Sequence, residues 1–109
     1  MFGFFQRQQE EDKFKKPYYS FRSVKADRVL DLAQDGDNQG SLIIWDGHGG
    51  ENQMFTLKKK GDGFRIRCKQ SGRYLTVESA ADGARVYGAA KSGQANQTFT
   101  IQEREPDSK

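Results

Sequence analysis

A short internal repeat constrains this chain more than any other feature of its sequence. Residues 52–57, Asn-Gln-Met-Phe-Thr-Leu, are echoed 44 positions later by residues 96–101, Asn-Gln-Thr-Phe-Thr-Ile. The segments ahead of them also align, because residues 30–32, Leu-Asp-Leu, match residues 75–77, Leu-Thr-Val. Self-similarity at a fixed period indicates that one supersecondary unit is used more than once. The chain is therefore predicted to contain two copies of one structural unit.

Alternating apolar and polar residues predict that each unit consists of four short β-strands. Residues 42–45, Leu-Ile-Ile-Trp, alternate between two faces and run into a glycine-rich turn. Aligning Ile44 with Val86 makes the corresponding turn of the second unit two residues longer. The predicted strands cover residues 18–24, 28–32, 41–45 and 54–58 in the first unit, and 64–69, 74–78, 84–87 and 98–102 in the second.

The composition is typical of one small all-β domain. A chain of 109 residues is long enough for a single core, and its 12 glycines suit a fold with many turns. We predict an N-terminal arm over residues 1–17, a β-domain over 18–103 and a tail over 104–109. The two units of the domain cover about residues 18–60 and 61–103. The arm is either a short helix or a mobile segment, and its phenylalanines are expected to pack on the core or on a second chain.

Charge and cysteine content favour a protein without nucleic-acid or membrane partners. The 18 basic and 15 acidic residues leave a net charge of +3, which does not require a nucleic-acid partner. No apolar stretch is long enough to span a bilayer, so membrane insertion is not expected. Because no signal peptide is evident and Cys68 is the only cysteine, we expect a reducing, cytoplasmic setting, with non-classical export left open.

The densest basic run, residues 58–60, precedes a strand in which three cations alternate with apolar residues. These cations are Arg65, Arg67 and Lys69. We interpret the pattern as a solvated face that also discourages pairing of strand edges.

The sequence offers no constellation typical of an enzyme or a metal site. His48 is the only histidine and has no cysteine nearby with which to bind a metal ion. No serine or cysteine is placed for nucleophilic catalysis, and no pair of carboxylates can be assigned to a cleft. We therefore predict no catalytic residue, no metal and no cofactor.

The repeated motif resembles the repeats of ricin-type (R-type) lectins. Residues 44–55, Ile-Trp-Asp-Gly-His-Gly-Gly-Glu-Asn-Gln-Met-Phe, are similar to that family's ending, an aromatic residue followed by Asn-Gln-x-aromatic. Residues 30–32 resemble its Leu-Asp-Val strand. The resemblance covers about 85 residues and implies an all-β, β-trefoil-like fold with two four-stranded repeats.

The sequence departs from the family pattern in two ways. Gly47 stands where the family usually has a cysteine. The chain also has two units where a trefoil has three, so either the N-terminal arm or a second chain is needed to complete the fold. We expect a homo-oligomer, with a dimer favoured as the closed arrangement.

The resemblance implies that Asp31 is the central sugar ligand. A carboxylate suits this role because it accepts charge-assisted hydrogen bonds from adjacent hydroxyl groups. Asp31 alternates with Leu30 and Leu32, so its side chain is expected to leave the core, and a plain exposed carboxylate is the alternative. Trp45 is expected to point outward and to shape the pocket or stack on a sugar, although a lone tryptophan is often a core residue.

Three residues of the turn complete the predicted sugar site. His48 is expected to stack on the sugar or to form a hydrogen bond with it. Asn52 is predicted to contact the ligand. Gln53 is included at the site, although we interpret it mainly as structural because the second unit retains its counterpart, Gln97.

The second unit is expected to be a degenerate site. Thr76 stands in the position of Asp31, and a threonine hydroxyl is a weaker acceptor than a carboxylate. Tyr87 and Asn96 are therefore weaker candidates for sugar binding.

The sequence thus predicts a non-catalytic lectin for galactose- or N-acetylgalactosamine-type sugars, acting mainly through its first unit. Its partners would be galactose-containing glycans, and oligomerisation would add avidity. The alternative is a protein-interaction or cytoskeletal scaffold, such as an actin-binding-like module, in which Asp31 and Trp45 are incidental.

Overall fold

A computed structural model describes residues 15–102, and within them the protein is all-β with three short 3-10 turns. The strands are β1 (Arg22–Ser23), β2 (Arg28–Leu32), β3 (Leu42–Trp45), β4 (Phe55–Lys60), β5 (Gly63–Cys68), β6 (Tyr74–Val77) and β7 (Val86–Ala89). The 3-10 turns are Gly36–Asn38, Glu51–Gln53 and Ala95–Gln97. The predicted tail and all but the end of the predicted arm lie outside the described residues. In the described part, no helix is long and apolar enough to cross a membrane.

The strands form two antiparallel sheets, ordered β1-β2-β3 and β4-β5-β6-β7. In the first sheet Leu32 pairs with Leu42, and in the second Val77 pairs with Val86. The counterpart of Val86 is therefore Leu42, and the predicted alignment with Ile44 was wrong. The turns that follow β3 and β7 consequently have equal lengths, because the ladder, and not one apolar position, sets the register.

The predicted first and last strands are shorter than expected. Residues 18–24 supply only β1 and an isolated bridge at Tyr19, which exchanges two backbone hydrogen bonds with Phe55. Residues 98–102 form no strand, because Phe99 pairs with Phe64 at a single bridge. Residues 18–24 thus pair with β2 through β1 and with β4 at Tyr19, whereas residues 98–102 pair with β5 at Phe99.

The core is shared between the two units. Its fully enclosed centre consists of Leu32 and Phe55 from the first unit and Cys68 and Leu75 from the second. Partly buried residues packed around this centre are Phe21, Leu30, Leu42, Ile66, Val86 and Phe99. Since both units contribute to one core, neither can bury its apolar face alone.

Candidate functional site

The side chain of Gln53 stabilises the turn between β3 and β4 through hydrogen bonds to its backbone. Its side chain is 2% exposed, its Nε2 donates to the carbonyl of Asp46 at 2.8 Å, and its Oε1 accepts from the backbone N–H of His48 at 3.0 Å. Nε2 also donates to Oδ2 of Asp31 at 2.9 Å. One buried amide thereby connects the turn to the middle of β2.

Asn52 holds the other oxygen of the same carboxylate. Its Nδ2 donates to Oδ1 of Asp31 at 2.9 Å and to the carbonyl of Leu32 at 3.4 Å. A carboxylate only accepts hydrogen bonds, so the atom facing Asp31 must be the amide nitrogen. Oδ1 of Asn52 is buried and has no hydrogen-bond partner in residues 15–102. The donors of Asn52 therefore serve to position Asp31.

Asp31 is buried, which differs from the expectation that it would leave the core. Its side chain does lie on the strand face opposite Leu30 and Leu32, but Asn52 and Gln53 fold over it, and it is 4% exposed. A buried carboxylate is tolerated when donors satisfy it. Each oxygen accepts a hydrogen bond from one amide side chain and has further lone pairs, so each retains acceptor capacity for hydroxyl groups.

This carboxylate lines an open cavity of about 410 Å³. Trp45 is 55% exposed at the rim, so it points outward as the strand alternation predicted. Ile43, which lies opposite Asp31 in the ladder, adds a second apolar wall. The complete lining is Asp31, Ala33, Gln34, Asp35, Gly36, Asp37, Ile43, Trp45, His48 and Asn52. The cavity thus combines a fixed acceptor with apolar surface.

His48 presents a donor near the carboxylate. Its Nδ1 accepts the backbone N–H of Gly50 at 3.0 Å, so in the neutral imidazole the proton resides on Nε2. Nε2 lies 3.8 Å from Oδ2 of Asp31. A Cβ at Gly50 would collide with Cε1 of His48, so this arrangement of the ring depends on the glycine.

Sequence reasoning missed the acidic wall of the cavity. Asp35 and Asp37 line it from the loop after β2, close to the Gly36–Asn38 turn. The run Asp-Gly-Asp-Asn is visible in the sequence, but it indicates only a turn. Its position beside Asp31 becomes evident only when β2 and β3 are paired.

The second unit repeats the framework without the carboxylate. Gln97 donates to the carbonyl of Ala90 at 2.8 Å, accepts from the N–H of Ser92 at 2.9 Å and donates to Oγ1 of Thr76 at 3.0 Å. Asn96 donates to the carbonyl of Val77 at 3.3 Å and is exposed. The buried glutamine is therefore a structural element common to both units.

The two weaker candidates, Tyr87 and Asn96, lie on and after β7, a strand that has no counterpart of Trp45. Tyr87 lies opposite Thr76 in the ladder, and the guanidinium of Arg85 packs 4.9 Å from its ring centroid. Ala89 occupies the position of Trp45, so the exposed aromatic wall is absent. Among residues 15–102, no group of three or more potential metal ligands is present in either unit.

The sequence matches a known family over most of its length. The profile of the family described as "Ricin-type beta-trefoil lectin domain-like" matches residues 5–89. The chain belongs to this family. A comparison with curated proteins gave no significant match.

Solved structures similar to this ricin-type domain include a designed protein and two fungal lectins. ThreeFoil, a designed 3-fold symmetric protein, has a TM-score of 0.74 and 27% identity, with coverage of 84% of this chain and 69% of ThreeFoil. A Macrolepiota procera ricin B-like lectin in complex with lactose has a TM-score of 0.62 and 35% identity, covering 68% of this chain and 52% of that lectin.

A Polyporus squamosus lectin was solved with the human-type influenza-binding epitope Neu5Acα2-6Galβ1-4GlcNAc. Its TM-score is 0.66 at 25% identity, covering 79% of this chain and 31% of that lectin. This ricin-type domain therefore spans about half or less of either fungal lectin chain. The similarity establishes a β-trefoil fold, and both fungal proteins are lectins with sugars bound.

Proposed function

We propose that this chain is a non-catalytic carbohydrate-binding domain that recognises galactose- or N-acetylgalactosamine-type sugars mainly through its first unit. The observation that carries the proposal is the carboxylate of Asp31, buried, held at both oxygens and lining an open cavity. Two adjacent sugar hydroxyls can donate to such a carboxylate, because its orientation is fixed before the ligand arrives.

The walls of the cavity suit a sugar ring. Trp45 offers an exposed apolar face, and Nε2 of His48 offers a donor close to the carboxylate. Sugar sites combine a few fixed polar groups with apolar surface, as small-molecule sites generally do. Lactose bound to the Macrolepiota procera relative supports a galactose-containing ligand here.

Calorimetric titration with lactose tests this proposal, with maltose as the control disaccharide lacking galactose. We expect lactose to bind and maltose to give no heat above dilution. Equal binding of the two sugars would overturn the galactose assignment. A folded protein that binds neither sugar but retains a protein partner would favour the scaffold alternative.

We further propose that the two units associate with a second copy of the chain, a dimer being the smallest closed assembly. The segments around Tyr19 and Phe99 each pair through one bridge, with Phe55 and Phe64 respectively. Ile101, next to the second segment, is 40% exposed. Light scattering of the 109-residue chain should give twice the monomer mass, and a monomeric mass across micromolar concentrations would contradict association.

A further inference from the structure

One face of the β4–β5 hairpin carries four cations. Lys58 lies directly opposite Arg65, and side chains alternate along both strands, so Lys58, Lys60, Arg65 and Arg67 share the face that points away from the core. We call this group the basic face. Within residues 15–102, none of the four side chains forms an ion pair with an acidic group. Asp62 lies beside them in the turn between the strands.

This arrangement carries a cost in stability. Like charges directly opposite each other in an antiparallel ladder are destabilising, and Lys58 and Arg65 are such a pair. The Nε of Arg65 is buried without a hydrogen-bond partner in the described part of the chain. A buried donor without an acceptor loses its hydration and gains no hydrogen bond in exchange.

Protection of a sheet edge can explain only half of the basic face, because Lys58 and Lys60 stand on the end strand β4 and the two arginines do not. β5 lies between β4 and β6 in the sheet, so Arg65 and Arg67 stand on an interior strand. The interpretation of these arginines as guards against edge pairing was therefore wrong. The two arginines on the interior strand, held opposite further cations at a cost in stability, are instead suited to an anionic ligand.

Arg67 is oriented before any ligand binds. Its Nε donates to the carbonyl of Gly72 at 3.2 Å, which fixes the plane of the guanidinium. Within residues 15–102 this is the hydrogen bond that holds the group, and its Nη atoms remain as a planar pair of donors. Guanidinium groups presented in this way bind tetrahedral oxyanions through paired hydrogen bonds.

We propose that the basic face binds the sulfate groups of a sulfated polysaccharide. The Cβ atoms of these residues are about 7 Å apart along one strand, and those of the facing pair Lys58 and Arg65 are about 5 Å apart. Such an array suits a chain that carries many anionic groups better than it suits one isolated ion. This proposal does not depend on sugar binding in the Asp31 cavity.

Two other polyanions fit the face less well. Phe55 and Phe64, the aromatic residues of the hairpin, are buried on its opposite side. Tyr74, which lies opposite Arg67 on β6, is half-buried, so one aromatic ring adjoins the face, whereas single-stranded nucleic-acid sites stack successive bases on several. Leu57 is also buried, so the face has no apolar side chain to insert into a lipid surface. The structure therefore favours a sulfated glycan over nucleic acid or a membrane.

The first experiment compares binding of the full chain to three probes of matched length over a range of salt concentrations. The probes are a heparin oligosaccharide, its desulfated counterpart and single-stranded DNA. We expect the heparin oligosaccharide to bind most tightly, to weaken as salt rises and to lose binding on desulfation. Absence of heparin binding at physiological salt, or equal affinity for DNA, would overturn the proposal.

A matched pair of double variants locates the site. Lys58→Gln with Arg65→Gln should weaken heparin binding about tenfold for each charge-assisted hydrogen bond removed. The control, Arg28→Gln with Arg85→Gln, removes the same charge from cations already paired with Asp46 and Glu78. The control should change heparin affinity by less than about threefold, because those sites lie outside the basic face.

Equal reductions in heparin affinity in the two double variants would contradict the proposal, since net charge alone would then account for binding. Thermal melting checks that both variants fold. The single variant Lys60→Gln alters an exposed side chain and provides an independent test. It should weaken heparin binding without changing the melting temperature, and unchanged heparin affinity in this variant would argue against the basic face.

Discussion

The sites beside the turns after β3 and β7 differ at two positions. The first unit has the carboxylate of Asp31 where the second has the hydroxyl of Thr76, and it has Trp45 where the second has Ala89. Gln53 and Gln97 make the same three hydrogen bonds, with a backbone carbonyl, a backbone N–H and a side chain of the neighbouring strand. That side chain is Asp31 in the first unit and Thr76 in the second. The glutamine framework therefore persists without a carboxylate, which separates the structural part of the motif from the part we assign to sugar binding.

The same comparison explains why Asn52 is buried and Asn96 is exposed. Both donate to the equivalent carbonyl of the strand, at Leu32 and Val77 respectively. Only Asn52 has a carboxylate to hold as well, at 2.9 Å. The aspartate thus draws the asparagine inward, and the second unit lacks that hydrogen bond.

The largest expected effect is on folding, through the shared glutamine framework. Replacing Gln97 by Ala removes three hydrogen bonds and leaves the N–H of Ser92 and the carbonyl of Ala90 without their partner. We expect the free energy of unfolding to fall by about 3 kcal/mol, measured by urea denaturation. Gln94→Ala, an exposed neighbour, is the control and should change it by less than about 0.5 kcal/mol. Equal stability of the two variants would show that the glutamine does not hold the turn.

Asp31→Thr gives the first unit the threonine hydroxyl that the second unit has at the equivalent position, Thr76. The variant should retain the fold. Sugar affinity should fall by about 2 kcal/mol, close to thirtyfold, because a threonine hydroxyl cannot form the charge-assisted hydrogen bonds of a carboxylate. Calorimetry with lactose measures the change, and Asp82→Thr in an exposed turn is the control. Unaltered lactose affinity in the Asp31→Thr variant would remove the carboxylate from the site.

Trp45→Ala should weaken lactose binding by about 1 kcal/mol, because the cavity then lacks its exposed aromatic wall. Because the side chain is 55% exposed, the melting temperature should change little. Tyr18, 43% exposed and outside this cavity, offers a matched aromatic control as Tyr18→Ala. If Trp45→Ala lowers stability as strongly as binding, the tryptophan is mainly a packing residue.

The smallest expected effect is a gain of function in the second unit. Thr76→Asp combined with Ala89→Trp restores both missing groups at the equivalent ladder positions. We expect weak lactose binding, at millimolar concentrations and seen as amide shifts of the second unit, on a background in which Asp31→Thr has weakened the first site. Thr76→Asp alone should remain below detection, and binding by that single variant would show that the aromatic wall is dispensable.

Much of the fold could be predicted from the sequence, because local alternation specifies strands. β2 occupies the predicted residues 28–32, and the match of residues 30–32 with 75–77 is supported by the equivalent hydrogen bonds of Asp31 and Thr76. The family resemblance and the all-β trefoil fold were also confirmed. What the sequence could not supply was register: the single match of Ile44 with Val86 was misleading, whereas the ladder aligns Val86 with Leu42.

Site geometry was less predictable than the fold. Alternation correctly assigned Asp31 to the face opposite Leu30 and Leu32, but burial depends on what folds over that face. The amides of Asn52 and Gln53 reach back across more than twenty residues of sequence to cover it. Such long-range contacts leave no periodic signal in the sequence. For the same reason, the sequence did not predict that Asp35 and Asp37 line the cavity.

The most direct test of the assignment to the first unit is an amide-resolved NMR titration of the chain with lactose. We predict shifts confined to Asp31, Trp45 and residues 48–53, with Thr76 and Asn96 unchanged. Shifts of similar size in both units would contradict the distinction between them, and no shift at millimolar lactose would contradict the proposed sugar site altogether.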